Sequence, residues 1–264
     1  MFPKIYYFSV IRNKKIILGV EHGGLSFKDF MYQNIIIGVE YGGLPFKDFM
    51  YQNPNLSYRD MKILFYNLIK AFHTLKEKKI VHNDISPINI LIESPEKVKI
   101  IDFEISFECI NEYKDSNFPV YWPSYLASEL YISPELMTWQ RIRNIIGFIR
   151  YDPFKSDIFS LGLCFLDILG IDIKGLNIFG INYDIHIMEM LTISYDYIAK
   201  DSLRKISYRL LREKLQNTID ERIEKNPYNY LNDTLRKMLE VDIVNRATID
   251  EIYKDAKYHV GIFD

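Results

Sequence analysis

The stretch of sequence that decides the fold is VHNDISPINILIESPEKVKIIDFEIS, residues 81–106. It contains two short runs rich in β-branched residues, Ile88–Ile92 and Val98–Ile101, separated by the turn-like Glu93-Ser94-Pro95-Glu96. This pattern predicts a β-hairpin with a four- or five-residue loop. Such a hairpin would bring together the polar residues that flank it in the sequence.

Those polar residues are His82, Asp84, Asn89 and Asp102, which lie within twenty-one positions of one another. Two carboxylates and an amide oxygen form a hard, oxygen-rich site of the kind that Mg²⁺ prefers, with substrate phosphates as further ligands. One carboxylate can hold the metal while the other accepts or orients a hydroxyl proton. Each residue alone has an ordinary explanation as a cap or turn residue, but the four at this spacing favour a site.

The composition is that of a globular protein. The 264 residues are 48% hydrophobic and 26% charged, with a formal net charge of −2, and this length is enough for one large domain or two lobes. The balanced charge gives no indication of a nucleic-acid or membrane partner. Neither a targeting segment nor an apolar run long enough to span a bilayer is visible, so we expect a cytoplasmic protein.

An internal repeat precedes the hairpin. Residues 16–34 recur as residues 35–53, identical except at positions 18/37, 22/41 and 26/45. Two units are too few for a solenoid, so the repeat favours a recent tandem duplication, or an error in the gene assembly, over a designed repeat. Each copy predicts a strand, a Gly-Gly bend and the start of a short helix.

Helices are predicted for most of the remaining chain. Ser57 and Asp60 form a capping pair at the start of an amphipathic helix, and Thr248 with Glu251 forms a capping box at the start of the last helix. Apolar periodicity predicts three helices between them. They are Lys155–Leu169, Leu203–Ile219 and Tyr228–Leu239.

Residues 81–106 resemble the catalytic core of the eukaryotic protein kinases, whose pattern is H-R-D-x-x-x-x-N, a hairpin and D-F-G. His82-Asn83-Asp84, Asn89 and Asp102-Phe103-Glu104 stand at the corresponding positions. By this resemblance Asp84 would be the catalytic base toward the substrate hydroxyl. Asn89 and Asp102 would complete the catalytic set by holding Mg²⁺ on ATP.

Other family motifs follow in order. Residues 131–135, Tyr-Ile-Ser-Pro-Glu, resemble the end of the activation segment. Residues 156–162 resemble the start of the central helix, in which Asp157 would brace the catalytic loop. Residues 246–252 resemble the last family motif, in which Arg246 would pair with Glu135.

Upstream, the stretch GVEYGG of the second copy resembles the strand and hinge on which adenine sits. This copy is continuous with the helix at Ser57, so we expect Glu40 and Gly42 to present the hinge backbone groups and Leu91 to form the floor of the adenine site. The first copy is the alternative candidate for the hinge. It could also form a hairpin with Ile5–Ile11.

The resemblance covers most of residues 1–258 and implies an α+β, two-lobed, protein-kinase-like fold. We expect one such domain over residues 1–264, with a reduced N-terminal β lobe and the duplicated hinge in about 1–53 and a mainly helical C-terminal lobe in about 54–264. ATP and Mg²⁺ are the implied cofactors, and a protein Ser or Thr hydroxyl is the implied acceptor.

Departures from the family pattern keep two alternatives open. Asn83, Ser86 and Glu104 replace the family's Arg, Lys and Gly, and the sequence contains neither G-x-G-x-x-G nor a Lys in a V-A-I-K context. We therefore expect impaired phosphoryl transfer. One alternative is a pseudokinase or truncated kinase lobe that acts as a binding or scaffold module. The other is a small-molecule kinase of the choline or aminoglycoside type, although those enzymes lack the Ser-Pro-Glu and Arg-Ala-Thr motifs.

Overall fold

The computed structural model describes residues 5–11, 14–20, 42–109, 120–121, 129–142, 149–177 and 202–261. Within them most strands come early in the chain and most helices come late. The strands are β1 (Ile5–Ile11), β2 (Lys14–Val20), β3 (Leu44–Pro45), β4 (Ile80–Val81), β5 (Ile90–Ser94), β6 (Lys97–Ile100), β7 (Phe107–Glu108), β8 (Val120–Tyr121) and β9 (Ile149–Arg150). The helices are α1 (Phe46–Gln52), α2 (Tyr58–Glu77), α3 (Pro134–Ile142), α4 (Pro153–Ile168), α5 (Ser202–Ile223), α6 (Asn232–Met238) and α7 (Ile249–Val260). A small sheet portion with a mostly helical region confirms the predicted α+β class, and none of the described helices is both long and apolar enough to cross a membrane.

The predicted hairpin is confirmed. Strands β5 and β6 pair antiparallel, with Ile90 opposite Ile100 and Ile92 opposite Val98. The first strand starts two residues later than predicted, because Pro87–Asn89 form a 3₁₀ turn. Proline has a fixed φ and no N–H to donate, which suits the first position of such a turn.

The second copy of the repeat lies against this hairpin. Strand β3 pairs antiparallel with β5, with Leu44 opposite Ile92, so the sheet order is β3-β5-β6. Gly43 has a φ of 95°, and a Cβ there would lie 2.5 Å from the carbonyl carbon of Ile92. Only glycine fits this close approach without strain.

The first copy begins in a different hairpin. Strands β1 and β2 pair antiparallel from Ile5 opposite Val20 to Ile11 opposite Lys14. This is the hairpin with Ile5–Ile11 that the sequence left open for the first copy. Residues 21–41, which include the rest of this copy and Glu40 of the second, lie outside the described residues.

The core joins the short helix of the second copy to the long helices. Helix α2 begins as predicted, because the Ser57 Oγ accepts a hydrogen bond from the Asp60 N–H at 3.1 Å. Helix α4 is buried along most of its length. The Phe165 ring of α4 packs against Phe46 of α1 at 5.7 Å and against Phe65 of α2 at 4.7 Å between ring centroids.

The C-terminal helices differ from prediction in one respect. The predicted single helix Tyr228–Leu239 is a 3₁₀ turn over Asn229–Leu231 followed by α6. Asn226 explains the break, because its side chain donates to the Tyr228 carbonyl and accepts from the Tyr228 N–H, both at 2.9 Å. Side chains that bond the local backbone in this way compete with the helical pattern.

Candidate active site

His82 ties the loop that follows β4, which we call the candidate catalytic loop (residues 82–89), to the end of β6. The side chain is fully buried. Its Nδ1 accepts a hydrogen bond from the Asp84 N–H at 3.2 Å, so the ring proton is on Nε2, which lies 3.0 Å from the Ile101 carbonyl and donates to it. Burial lowers the pKa of His82 to about 4, and the ring is therefore neutral at pH 7.

Asp157 of α4 braces the same loop, as predicted. Its Oδ2 accepts from the His82 N–H at 2.8 Å and its Oδ1 from the Asn83 N–H at 3.0 Å. Burial is the main cause that raises the pKa of Asp157 to about 7, and the two N–H groups oppose it. Asn83 has a φ of 65°, a left-handed conformation that asparagine tolerates better than most residues.

Asn89 is positioned by three contacts of its own. Its Nδ2 donates to the Asp84 carbonyl at 2.9 Å. Its backbone N–H donates to the Ser86 carbonyl at 3.0 Å, and its carbonyl accepts from the Ile101 N–H at 2.9 Å. The amide nitrogen is thus used to hold the loop, and no described residue donates to the amide oxygen, which is the atom suited to bind a cation.

Asp102 lies near enough to Asp84 for its charge to affect the Asp84 carboxyl group. Burial, and then the charge of Asp102, raise the pKa of Asp84 to about 6, and the nearby Asn89 amide opposes this rise. Asp102 has a φ of 66°, whereas Glu104, at the position of the family's glycine, is not among the residues with positive φ. The left-handed turn of this segment therefore falls on Asp102.

This donor set fits magnesium. Asp84, Asn89 and Asp102 would each bind a cation through an oxygen atom, and a divalent cation would relieve the repulsion between the two carboxylates. Among the described residues, no group of three or more His, Cys, Asp or Glu side chains could hold a metal ion. A cation here would depend on Asn89 and on phosphate oxygens as further ligands.

Two of the three predicted nucleotide-contacting residues also meet. An ideal Cβ on Gly42 would lie 2.7 Å from the Leu91 Cδ1, so the backbone at Gly42 passes directly against this buried side chain. Glu40 lies outside the described residues. The second copy thus lies beside Leu91, and the adenine-contacting roles of Glu40, Gly42 and Leu91 stay predictions.

The predicted pair of Arg246 and Glu135 is present. The Arg246 Nη1 and Nη2 donate to the two Glu135 carboxylate oxygens at 2.8 and 3.1 Å. Arg246 is 1% exposed, it donates to the carbonyls of Lys155 and Glu240, and its guanidinium lies 4.7 Å from the centroid of the Phe159 ring. The end of the activation segment is thus anchored to the C-terminal helices.

Two contacts that hold the same segment were missed by sequence reasoning. The Asn177 Nδ2 donates to the carbonyls of Glu129 and Ile132 at 2.8 and 2.7 Å. The Tyr131 hydroxyl donates to the Asp167 Oδ2 at 2.8 Å, and Lys47 of α1 donates to both Asp167 oxygens. Asn177 is a single Asn in a loop, and no sequence pattern indicates its contacts. Asp167 is a charged residue in the apolar helix α4, which could have prompted a search for its partner.

Comparison with known proteins agrees with this geometry. A family model described as the protein kinase domain matches residues 25–257. Mitogen-activated protein kinase 10 of Oryza sativa subsp. japonica is 26% identical over 207 residues, which cover 75% of this chain and 31% of that protein. Mitogen-activated protein kinase p38a of Drosophila melanogaster is 25% identical over 203 residues, which cover 75% of this chain and 50% of that protein. The chain thus spans about a third to a half of the length of these relatives.

Proposed function

Since the chain belongs to the protein kinase family, we propose that it is a cytoplasmic phosphotransferase that moves the γ-phosphate of ATP to a Ser or Thr hydroxyl of a protein substrate. The observation that carries the proposal is that Asp84, Asn89 and Asp102 lie together on one loop and hairpin. Asp157 holds this loop by accepting two of its backbone N–H groups. Two carboxylates that repel each other destabilise a fold, so their joint presence favours a functional site.

Asp84 is the proposed catalytic base. Its pKa of about 6 leaves it ionised at pH 7 and close enough to neutrality to accept a hydroxyl proton. His82 and Asn89 contact the backbone of Asp84, so they hold the backbone that carries its carboxylate without titrating near pH 7 themselves.

Adenine is proposed to sit between the hinge and Leu91, with backbone groups of Glu40 and Gly42 facing it. Asn89 and Asp102 would hold Mg²⁺ beside the phosphates. When bound, the ion neutralises the charge of the phosphates and aligns them.

Transfer is proposed to be weaker than binding. The sequence has no G-x-G-x-x-G and no Lys in a V-A-I-K context to cradle and polarise the phosphates. Loss of one preorganised donor costs on the order of 10²–10³ in rate, and here more than one is missing. The same observation favours the second candidate function, a binding or scaffold module of the pseudokinase kind.

A paired assay separates the two. Transfer from labelled ATP to a generic Ser/Thr substrate is measured for the 264-residue chain and for Asp84→Asn, beside nucleotide-induced thermal stabilisation with Mg²⁺. We expect stabilisation in both proteins and transfer near background. Robust transfer that disappears in Asp84→Asn would overturn the proposed impairment. Stabilisation without any transfer above that of Asp84→Asn would favour the binding module, and no stabilisation at all would refute the nucleotide site.

A further inference from the structure

The second copy of the repeat occupies a well-defined slot, which we define as the surface of β5 and α4 that receives residues 42–50. Gly43 lies against the backbone of β5. Phe46 is fully buried against Phe165. The Lys47 Nζ lies 3.1 Å from both carboxylate oxygens of Asp167. These contacts specify what a segment must contain to fit the slot.

The first copy contains the same residues. Gly24, Phe27 and Lys28 stand nineteen positions before Gly43, Phe46 and Lys47, and the apolar residues that follow are also repeated. Of the three differences between the copies, only Ser26 in place of Pro45 falls within residues 42–50 of the slot or their counterparts. Every side chain that the slot is seen to bind is therefore present twice in the chain.

We propose that the slot accepts either copy, so that the chain exchanges between two registers nineteen residues apart. In the major register residues 42–50 fill the slot, as the structure shows. In the minor register residues 23–31 fill it, and residues 34–57 connect them to α2. The inference goes beyond the proposed function and does not depend on nucleotide binding or transfer.

Two opposing effects set the populations. In the major register residues 53–57 connect α1 to α2, and in the minor register the connection is about five times longer, which disfavours it roughly tenfold by loop entropy. The presence of Ser26 in the first copy, where the second copy has Pro45, favours the minor register. Pro45 is the N-cap of α1 and makes no side-chain cap bond, whereas serine is among the preferred N-cap residues. We therefore expect the minor register in about a tenth of the molecules or somewhat more.

The ion pair between Lys47 and Asp167 provides a direct readout in the unaltered chain. A carbodiimide activates the Asp167 carboxylate, and a lysine amine in contact with it forms an amide while the reagent takes up the water. After proteolysis, mass spectrometry distinguishes a Lys47–Asp167 product from a Lys28–Asp167 product, because their peptides contain Pro45 and Ser26 respectively. Mixing isotopically labelled and unlabelled chains and analysing the monomer identifies products within one chain.

We expect both products, with the Lys28 product about a tenth as abundant as the Lys47 product. Phe46→Ala removes the anchor of the second copy and should raise the Lys28 fraction several-fold, whereas the matched Phe27→Ala should abolish it. Three outcomes would overturn the proposal. They are a Lys28 product absent from both the wild type and Phe46→Ala, a Lys28 product that persists in Phe27→Ala, and a Phe46→Ala chain that cannot fold, because the first copy should rescue it.

Discussion

Asp84→Asn should stabilise the fold near pH 8, although Asp84 is the residue that we assign as the catalytic base. Burial and the neighbouring Asp102 raise the pKa of Asp84 to about 6 from 3.8. A carboxyl group whose pKa is raised by folding binds protons more tightly in the native state, so its contribution to stability falls as the pH rises from about 4 to 6. Above that range the ionised group is a constant cost, and the neutral amide removes it.

The expected size of this effect is modest. The full difference in pKa corresponds to about 3 kcal/mol. Asp84 is only half-buried and water screens its charge, so we expect a gain of about 1 kcal/mol. For a chain of this length that raises the melting temperature by about 2–4 °C.

Thermal unfolding at pH 5 and pH 8 tests the reasoning. Asp84→Asn should melt higher than wild type at pH 8 and show only about half of that gain at pH 5, where Asp84 is mostly protonated in the native state but already ionised in the unfolded chain. Asp233→Asn is the matched control, because its side chain is 93% exposed and its melting temperature should change little at either pH. A variant of Asp84 that melts lower than wild type at pH 8, or shifts equally at both pH values, would refute the assignment of Asp84 to a repulsive site.

Three further substitutions test the contacts that hold the site. Arg246→Met leaves Glu135 without its cation and should cost about 3–5 kcal/mol of unfolding free energy. Adding Glu135→Leu should recover much of this loss, and simple additivity would contradict a direct pair. Gly43→Ala places a methyl group against the backbone of β5 and should lower the melting temperature more than Gly170→Ala, whose added Cβ meets nothing within 4 Å; equal losses would argue against the slot contact. Asp157→Asn leaves one of two backbone N–H groups of the catalytic loop without an acceptor and should cost about 1–3 kcal/mol, with faster amide hydrogen exchange at that loop, and unchanged exchange would contradict the bracing role.

The features predicted well from the sequence are those whose cause is local or carried by a motif. The hairpin follows from two β-branched runs around a turn, and the caps at Ser57 and Thr248 follow from spacing of three residues. The pair of Arg246 and Glu135 is separated by more than a hundred positions, and only the order of the kinase motifs predicted it. Its geometry in the structure is bidentate.

The features that sequence reasoning missed depend on competition or on distant partners. Pro87 starts a 3₁₀ turn where the β-branched run predicts a strand. Asn226 interrupts a predicted helix because its side chain forms hydrogen bonds with the backbone of Tyr228. The contact of Lys47, Tyr131 and Asp167 joins three separate elements. No local pattern specifies such a meeting, because it exists only after the helices have packed.

The most direct test of the central claim is the Mg²⁺ dependence of nucleotide binding, measured by isothermal titration of ADP into the 264-residue chain with Mg²⁺ and with chelator. The account predicts weak binding that tightens with Mg²⁺ in the wild type, and loss of that Mg²⁺-dependent part in Asp102→Asn while the chelator affinity stays the same. Asp172→Asn, a half-exposed carboxylate in a surface ion pair with Arg222, serves as the control and should behave as wild type. An Asp102→Asn chain whose affinity still rises with Mg²⁺ as in the wild type would contradict the claim that Asn89 and Asp102 hold the cation.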